Sequence, residues 1–232
     1  MAALSDTERT ARVRRLGQAS ALIVAPWGFV IANGGDAWMT RHGGSDMTSR
    51  GALAIAAAHP SLDRWASLAA MVGSLLLIPA VLGAMSLLRL RAARLGLAGG
   101  VMVIAGYVCY FALVFQGYTT NAMAERGRHM ADYAAVLDLA NNQGFTIWVS
   151  LLFVLGNLIG TILLGLALLR SRVIPVWAGL CIMGWPVFHI FGGGLGEVAG
   201  AVLEAVGLAM VALRLLNVPV SEASEPPLAA RH

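Results

Sequence analysis

From position 17 to position 216 the chain repeats one pattern, an apolar run of about twenty residues followed by a more polar break. At ~1.5 Å per residue such a run matches a hydrocarbon layer of ~30 Å. Within that layer a helix satisfies its own backbone polar groups, which an open strand does not. The pattern predicts an all-α fold, a polytopic membrane helix bundle of about six transmembrane helices. Composition closes the soluble alternative. Charged residues make up 12% of the chain, against about 25% in a soluble domain, so almost nothing would remain to face water.

The breaks divide the chain. Residues 1–16 read as a cytoplasmic N-terminal tail, 17–216 as the transmembrane domain, and 217–232 as a flexible cytoplasmic C-terminal tail. The expected spans are 17–35, 65–88, 95–115, 145–169, 173–191 and 195–216. The first resembles a secretory signal, with a basic start and a short apolar core. No A-x-A site comes after it, and an even span count needs it, so it reads as an uncleaved span. Pro79, in the middle of the second span, predicts a kink.

The outer loop 36–63 holds Asp36, Arg41, His42, Asp46 and Arg50, and its apolar patch 52–58 predicts a short interfacial helix closed before Pro60. Ser61 to Asp63 then offer an N-cap for the second span. A second outer loop, 119–144, places Met123, Met130, Tyr133, Val136 and Leu137 at helical spacing among charges. This predicts an amphipathic surface helix. Gly192, Gly193, Gly194 and Gly196 form an uncharged turn between the last two spans.

All 16 basic residues are arginine. Arg9, Arg12, Arg14, Arg15, Arg89, Arg91, Arg94, Arg170, Arg172, Arg214 and Arg231 fall on one side of the expected topology. Only Arg41, Arg50, Arg64, Arg126 and Arg128 fall on the other. The bias places both termini in the cytoplasm and the chain in the cell (inner, or plasma) membrane. The arginines flank apolar runs and form no stripe with aromatics, which argues against nucleic acid as a partner despite a net charge of +4. The partners implied are the lipid bilayer and a lipid-like small molecule.

Missing motifs narrow the chemistry. No phosphate-binding loop, dinucleotide fingerprint or serine elbow occurs, and one histidine inside a span excludes paired-histidine haem. Cys109 and Cys181 form no CxxC pair and read as buried thiols. No cofactor and no metal is expected.

What remains is a set of polar groups where lipid would be costly. His189, Glu197 and Glu204 lie in the stretch GWPVFHIFGGGLGEVAGAVLE. An ionised side chain at the bilayer centre costs ~2.5 kcal/mol or more, so such groups face protein or water and mark candidate sites. Glu197 and Glu204 are two helical turns apart and share a face with Gly200, Ala201 and Gly207, a face that should turn inward. Asn157 lies at a similar depth, between Gly156 and Gly160, within reach of a hydrogen bond to Glu204. Tyr107, Tyr110, Trp148, Trp185, Phe188 and Phe191 gather toward the outer half as a candidate aromatic wall. The candidate catalytic residues are therefore Glu204, Glu197 and His189. Asn157, Tyr107, Tyr110, Trp148, Trp185 and Phe188 are the candidate binding residues. Each also has a plainer use, a neutral packing acid or an interfacial aromatic.

The stretches HPSLDRWASLAAMVGSLLLIPAVLG, LLRLRAARLGLAGG and LLRSRVIPVWAGL resemble a broad group of small multi-spanning proteins of GC-rich bacteria, over roughly positions 58–185. The likeness is one of texture and carries no active-site motif. Size, span number and membrane carboxylates are also analogous to small integral-membrane terpene cyclases. That analogy implies an acid- and aromatic-lined pocket for a lipid-like or isoprenoid substrate, with acid-initiated isomerisation or cyclisation. The alternatives are a transporter or proton-coupled accessory subunit without catalysis, and a purely structural membrane partner.

Overall fold

A computed structural model describes residues 6–43, 45 and 47–217. Asp46, the first five residues and 218–232 lie outside the described residues, and with them almost all of the expected C-terminal tail. The described chain is helical, with no strand among the described residues: α1 (Asp6–Thr40), α2 (Ser49–Ala58), α3 (Pro60–Leu88), α4 (Ala93–Arg126), α5 (Met130–Asn141), α6 (Gly144–Leu155), a π-helical turn (Gly156–Gly160), α7 (Thr161–Arg170), α8 (Val176–Phe191) and α9 (Gly193–Asn217). Five helical units are long and apolar enough to cross a membrane: α1, α3, α4, the continuous α6–π–α7 unit and α9. The sixth expected span, α8, has 16 residues and measures ~24 Å at the helical rise.

Several boundaries differ from the sequence reading. The basic segment expected as a tail is, from Asp6 onward, the start of α1, and Asp36 is in that helix's last turns. The N-cap of α3 is His59, not a residue of the Ser61–Asp63 group. Pro60 takes the first helical position, where a missing N–H removes no bond. Pro79 lies in the interior of α3, where it was expected. The glycine turn is shorter than expected. Gly193 carries a φ of 59°, in the left-handed region that glycine tolerates, and Gly194 and Gly196 already belong to α9.

Two ends can be told apart. Arg91 Nη1 donates to the Ser171 carbonyl oxygen at 3.2 Å, tying the α3–α4 turn to the end of α7. Gly83 on α3 packs against Gln18 of α1 and Leu215 of α9. The start of α1 and the end of α9 therefore lie at the same arginine-rich end. At the opposite end Gly194 abuts Ala37, so α8 carries the chain from one end to the other. The expected interfacial helix is α2, whose Thr48 Oγ1 accepts from the Gly51 N–H as an N-cap. The amphipathic helix is α5, and most of the expected stripe packs inward: Leu137 is buried, and Met130, Tyr133 and, from the end of α4, Met123 pack against the same cluster. Ala134 and Leu137 are buried with Leu53, Ala56 and Ala124, whereas Val136 is exposed. The packing partners of α5 are thus α2 and α4.

Large apolar side chains cover the outside of the bundle, among them Leu75, Leu97, Val101, Leu151 and Leu180. The inter-helix seams are built from small residues instead, as close backbone approach in lipid requires. The tightest joins α4 to the π turn. A Cβ on Gly156 would stand 2.6 Å from Gly106 Cα, and one on Gly106 would stand 2.9 Å from Gly156 Cα. Gly156→Val should overpack this seam at ~1–3 kcal/mol and lower the thermal midpoint of the detergent-solubilised protein. Gly17→Ala, with nothing within 4 Å of the new methyl, should leave that midpoint unchanged. Equal midpoints for the two variants would contradict this packing.

Candidate functional site

The candidate residues converge because four units meet where α4 is held close to the π turn. Asn157 lies in that turn and is buried. A π turn takes in one extra residue and so rotates the next stretch of helix by about 100° relative to a regular helix. Across the seam Tyr107 projects from α4, and Trp185 comes from α8. Both are 2% exposed. The three close a triangle of hydrogen bonds. Tyr107 Oη donates to Asn157 Oδ1 at 3.3 Å, and Trp185 Nε1 donates to Tyr107 Oη at 3.1 Å and to Asn157 Oδ1 at 3.2 Å. Each such bond is worth ~1 kcal/mol net, and breaking one leaves a buried polar atom at greater cost.

Glu204 reaches this cluster from α9. It lies on the helix face that also carries Gly200, packed on Trp185 and Phe188, and Gly207, packed on Ile182. Its side chain is 3% exposed and its Oε2 has no hydrogen-bond partner. It is close enough to the Tyr107 hydroxyl for the two to interact electrostatically. The expected Asn157–Glu204 bond is replaced: Asn157 Oδ1 is engaged by Tyr107 and Trp185. The ion pairs Arg64–Glu125, His129–Asp132 and His189–Glu197 do not include Glu204.

From the triangle the polar groups continue toward the end opposite the arginines. The His189 ring lies 4.8 Å from that of Trp185, and His189 Nδ1 is 3.9 Å from Glu197 Oε2. That separation is an ion-pair distance and too long for a hydrogen bond. Both side chains are half-buried. Glu197 and Asp36 lie within electrostatic reach of the Tyr110 hydroxyl.

The aromatic wall is partly different from the one expected. Phe29 lies 5.1 Å from Tyr107 and 6.4 Å from Trp185, and Phe153 stacks on Tyr110 at 4.6 Å. Neither stands out in the sequence. Phe29 is one apolar residue within an apolar span, and Phe153 lacks any polar marker. Trp148 is 64% exposed on α6, pointing away from the bundle, so it is an outward-facing aromatic and no part of the wall. Phe191 and Phe188 are also exposed, although the Cβ side of Phe188 seats against Gly200. The rings of the cluster pack on one another. Two hollows lie elsewhere, around Asp36 and Asp63 and around Thr48 and His59. No group of three or more His, Cys, Asp or Glu that could hold a metal exists among the described residues.

Compared with protein-family models, curated proteins and solved structures, the chain gives no match. The geometry alone therefore carries the functional argument. It offers a sealed acid beside a phenol, an amide and an indole, with an imidazole and a second carboxylate leading toward one end.

Trp185 is the buried indole of the molecule, whereas Trp27, Trp38, Trp65, Trp148 and Trp177 are exposed. A chain with those five changed to phenylalanine should emit at short wavelength and resist quenching by both acrylamide and brominated lipid. Adding Asn157→Leu should shift and broaden that emission. Strong quenching of Trp185 by either agent would contradict the enclosed triangle.

Proposed function

We propose that the chain is an integral membrane protein of the plasma (inner) membrane with six crossings, in which Glu204 is a proton-carrying group that couples proton movement to rearrangement of the bundle. The function this supports is that of a transporter or proton-coupled accessory subunit. The topology rests on the arginine bias together with the shared basic end of α1, the α3–α4 turn, α7 and α9. That end faces the cytoplasm by the positive-inside rule, and both termini with it. The short α8 supplies the sixth crossing, since it leads from the basic end to the other.

One observation carries the proposal: Glu204 is enclosed, and one of its carboxyl oxygens lacks a partner. An unpaired carboxylate inside a bundle costs several kcal/mol, so this packing accommodates the neutral acid far better than the anion. Releasing the proton requires water or a donor to reach Glu204, and so requires the surrounding seam to open. The π turn and Pro186 are where such a change is absorbed with least loss of helix hydrogen bonds. Tyr107, His189 and Glu197 lie along the way toward the end that opens outward.

A second reading is favoured by the aromatic set Phe29, Tyr107, Tyr110, Phe153 and Trp185. Here Glu204 or Glu197 protonates a lipid-like or isoprenoid substrate, with Asn157 and His189 as orienting partners and the rings shielding a cation. In that case the substrate displaces rings that otherwise touch each other.

Purified protein in proteoliposomes under a pH gradient separates the readings. Proton-coupled flux should appear with wild type and fall at least about tenfold with Glu204→Gln, which keeps shape and removes the exchangeable proton. Glu197→Gln and His189→Gln should slow the flux without abolishing it. Flux unaffected by Glu204→Gln would refute the proton-carrying role. Product formed from a polyprenyl lipid, and lost in the same variant, would favour the second reading.

A further inference from the structure

The end opposite the arginines holds a hollow of about 140 Å³ between the last turns of α1, α2, the first turn of α3 and the far part of α4. Asp36, Thr40, Ala52, Asp63 and Thr120 are among its lining. The two acids differ in what they join. Asp63 Oδ2 accepts from Asn121 Nδ2 and stays at the contact of α3 with α4. Asp36 is half-buried, on a side of α1 that runs into the bundle. Residues three and four apart share a helix face, so Thr40, Asp36, Asn33 and Phe29 follow one another along that side. Asn33 is 6% exposed, and Phe29 is buried against the rings of Tyr107, Tyr110 and Trp185. One line of α1 thus starts at the aromatic cluster beside Glu204 and ends in the hollow. The two side chains between, Asn33 and Asp36, are polar, which an apolar span carries only at a cost. Glu197 meets this line from α9. Gly194 of α9 abuts Ala37, and Glu197 is one turn further in on the same side. Asp36 and Glu197 lie within electrostatic reach of the same Tyr110 hydroxyl.

We propose that this hollow is the outward mouth of the proton route to Glu204, and that Asp36 is the residue that passes protons between the hollow and the interior. The inference rests on the reading of Glu204 as a proton carrier and adds an entrance on α1 to it. The volume equals that of a few water molecules at ~30 Å³ each, and two carboxylates and two threonines give such water its partners. In the outward direction Glu204 gives its proton to Glu197 while the seam is open, a step of two helical turns along α9. Glu197 gives it to Asp36 across the α1–α9 contact. Asp36 gives it to water in the hollow and is a carboxylate again. Each step moves one proton from a carboxylic acid to a carboxylate or to water, and nothing else changes.

The test uses the full chain in nanodiscs and follows, after transfer to heavy water, the carboxylic-acid carbonyl band that Glu204→Gln removes. Its shift times the exchange of the Glu204 proton. Asp36→Asn should slow that exchange by about tenfold or more, the usual least effect of losing a positioned proton-transfer group. Asp36→Glu, which keeps the carboxyl, should restore it. Ala52→Leu fills the hollow without changing charge and should also slow exchange, which covers a failure of Asp36→Asn to fold. A wild type with no such band refutes the reading of Glu204 and this inference with it. A band whose exchange is unchanged or faster in folded Asp36→Asn and Ala52→Leu overturns the inference alone. So does exchange slowed by Glu197→Gln and untouched by Asp36→Asn, which would place the entrance on α9.

Discussion

Glu204 can lie in this bundle only because α9 turns a face of small residues toward α8. Gly200 and Gly207, one turn to either side of the acid, let the α8 backbone come close enough to enclose it. Larger side chains there would hold the helices apart and leave the carboxyl exposed to hydrocarbon, where its charged form is costly and its neutral form unsupported. The same logic repeats across the molecule. Gly106 and Gly156 bring α4 against the π turn, and that contact sets Tyr107 beside Asn157 and within reach of Trp185. The polar cluster is thus a product of the glycine seams.

These seams leave two chemically different regions. The triangle with Glu204 is buried, and its rings are in contact with one another. The region between α1, α2, α3 and α4 keeps a hollow lined by Asp36 and Asp63, and α2, which helps to line it, joins α5 in the small satellite core. Asp36 belongs to both. It lines the hollow and lies within electrostatic reach of Tyr110 at the edge of the aromatic cluster.

Helical class, five of the expected spans and the inward orientation of Glu204 are legible in the sequence because each stems from the cost of polar groups in hydrocarbon. The small residues on the Glu204 face and the Gly156–Gly160 pair announce close packing. The triangle is only half legible. Asn157, Tyr107 and Trp185 each stand out as candidates, but a π turn leaves no trace in composition or period, so their hydrogen bonding to one another could not be read. Trp148 fails as a wall residue because an aromatic at a span's end serves the interface as readily as the interior, and facing depends on helix rotation. The acid-lined hollow escapes a reading of the sequence because its two aspartates are far apart along the chain. One of them, Asp63, reads as part of a helix cap, a place that His59 and Pro60 take instead.

The central claim is that Glu204 is a neutral acid enclosed by its neighbouring helices. The infrared difference spectrum of wild type against Glu204→Gln, both in nanodiscs at neutral pH, tests it most directly. The account predicts the carbonyl stretch of a protonated carboxylic acid in the wild type, slow to shift in heavy water and missing from the variant. A carboxylate band in its place, or immediate exchange, would contradict it.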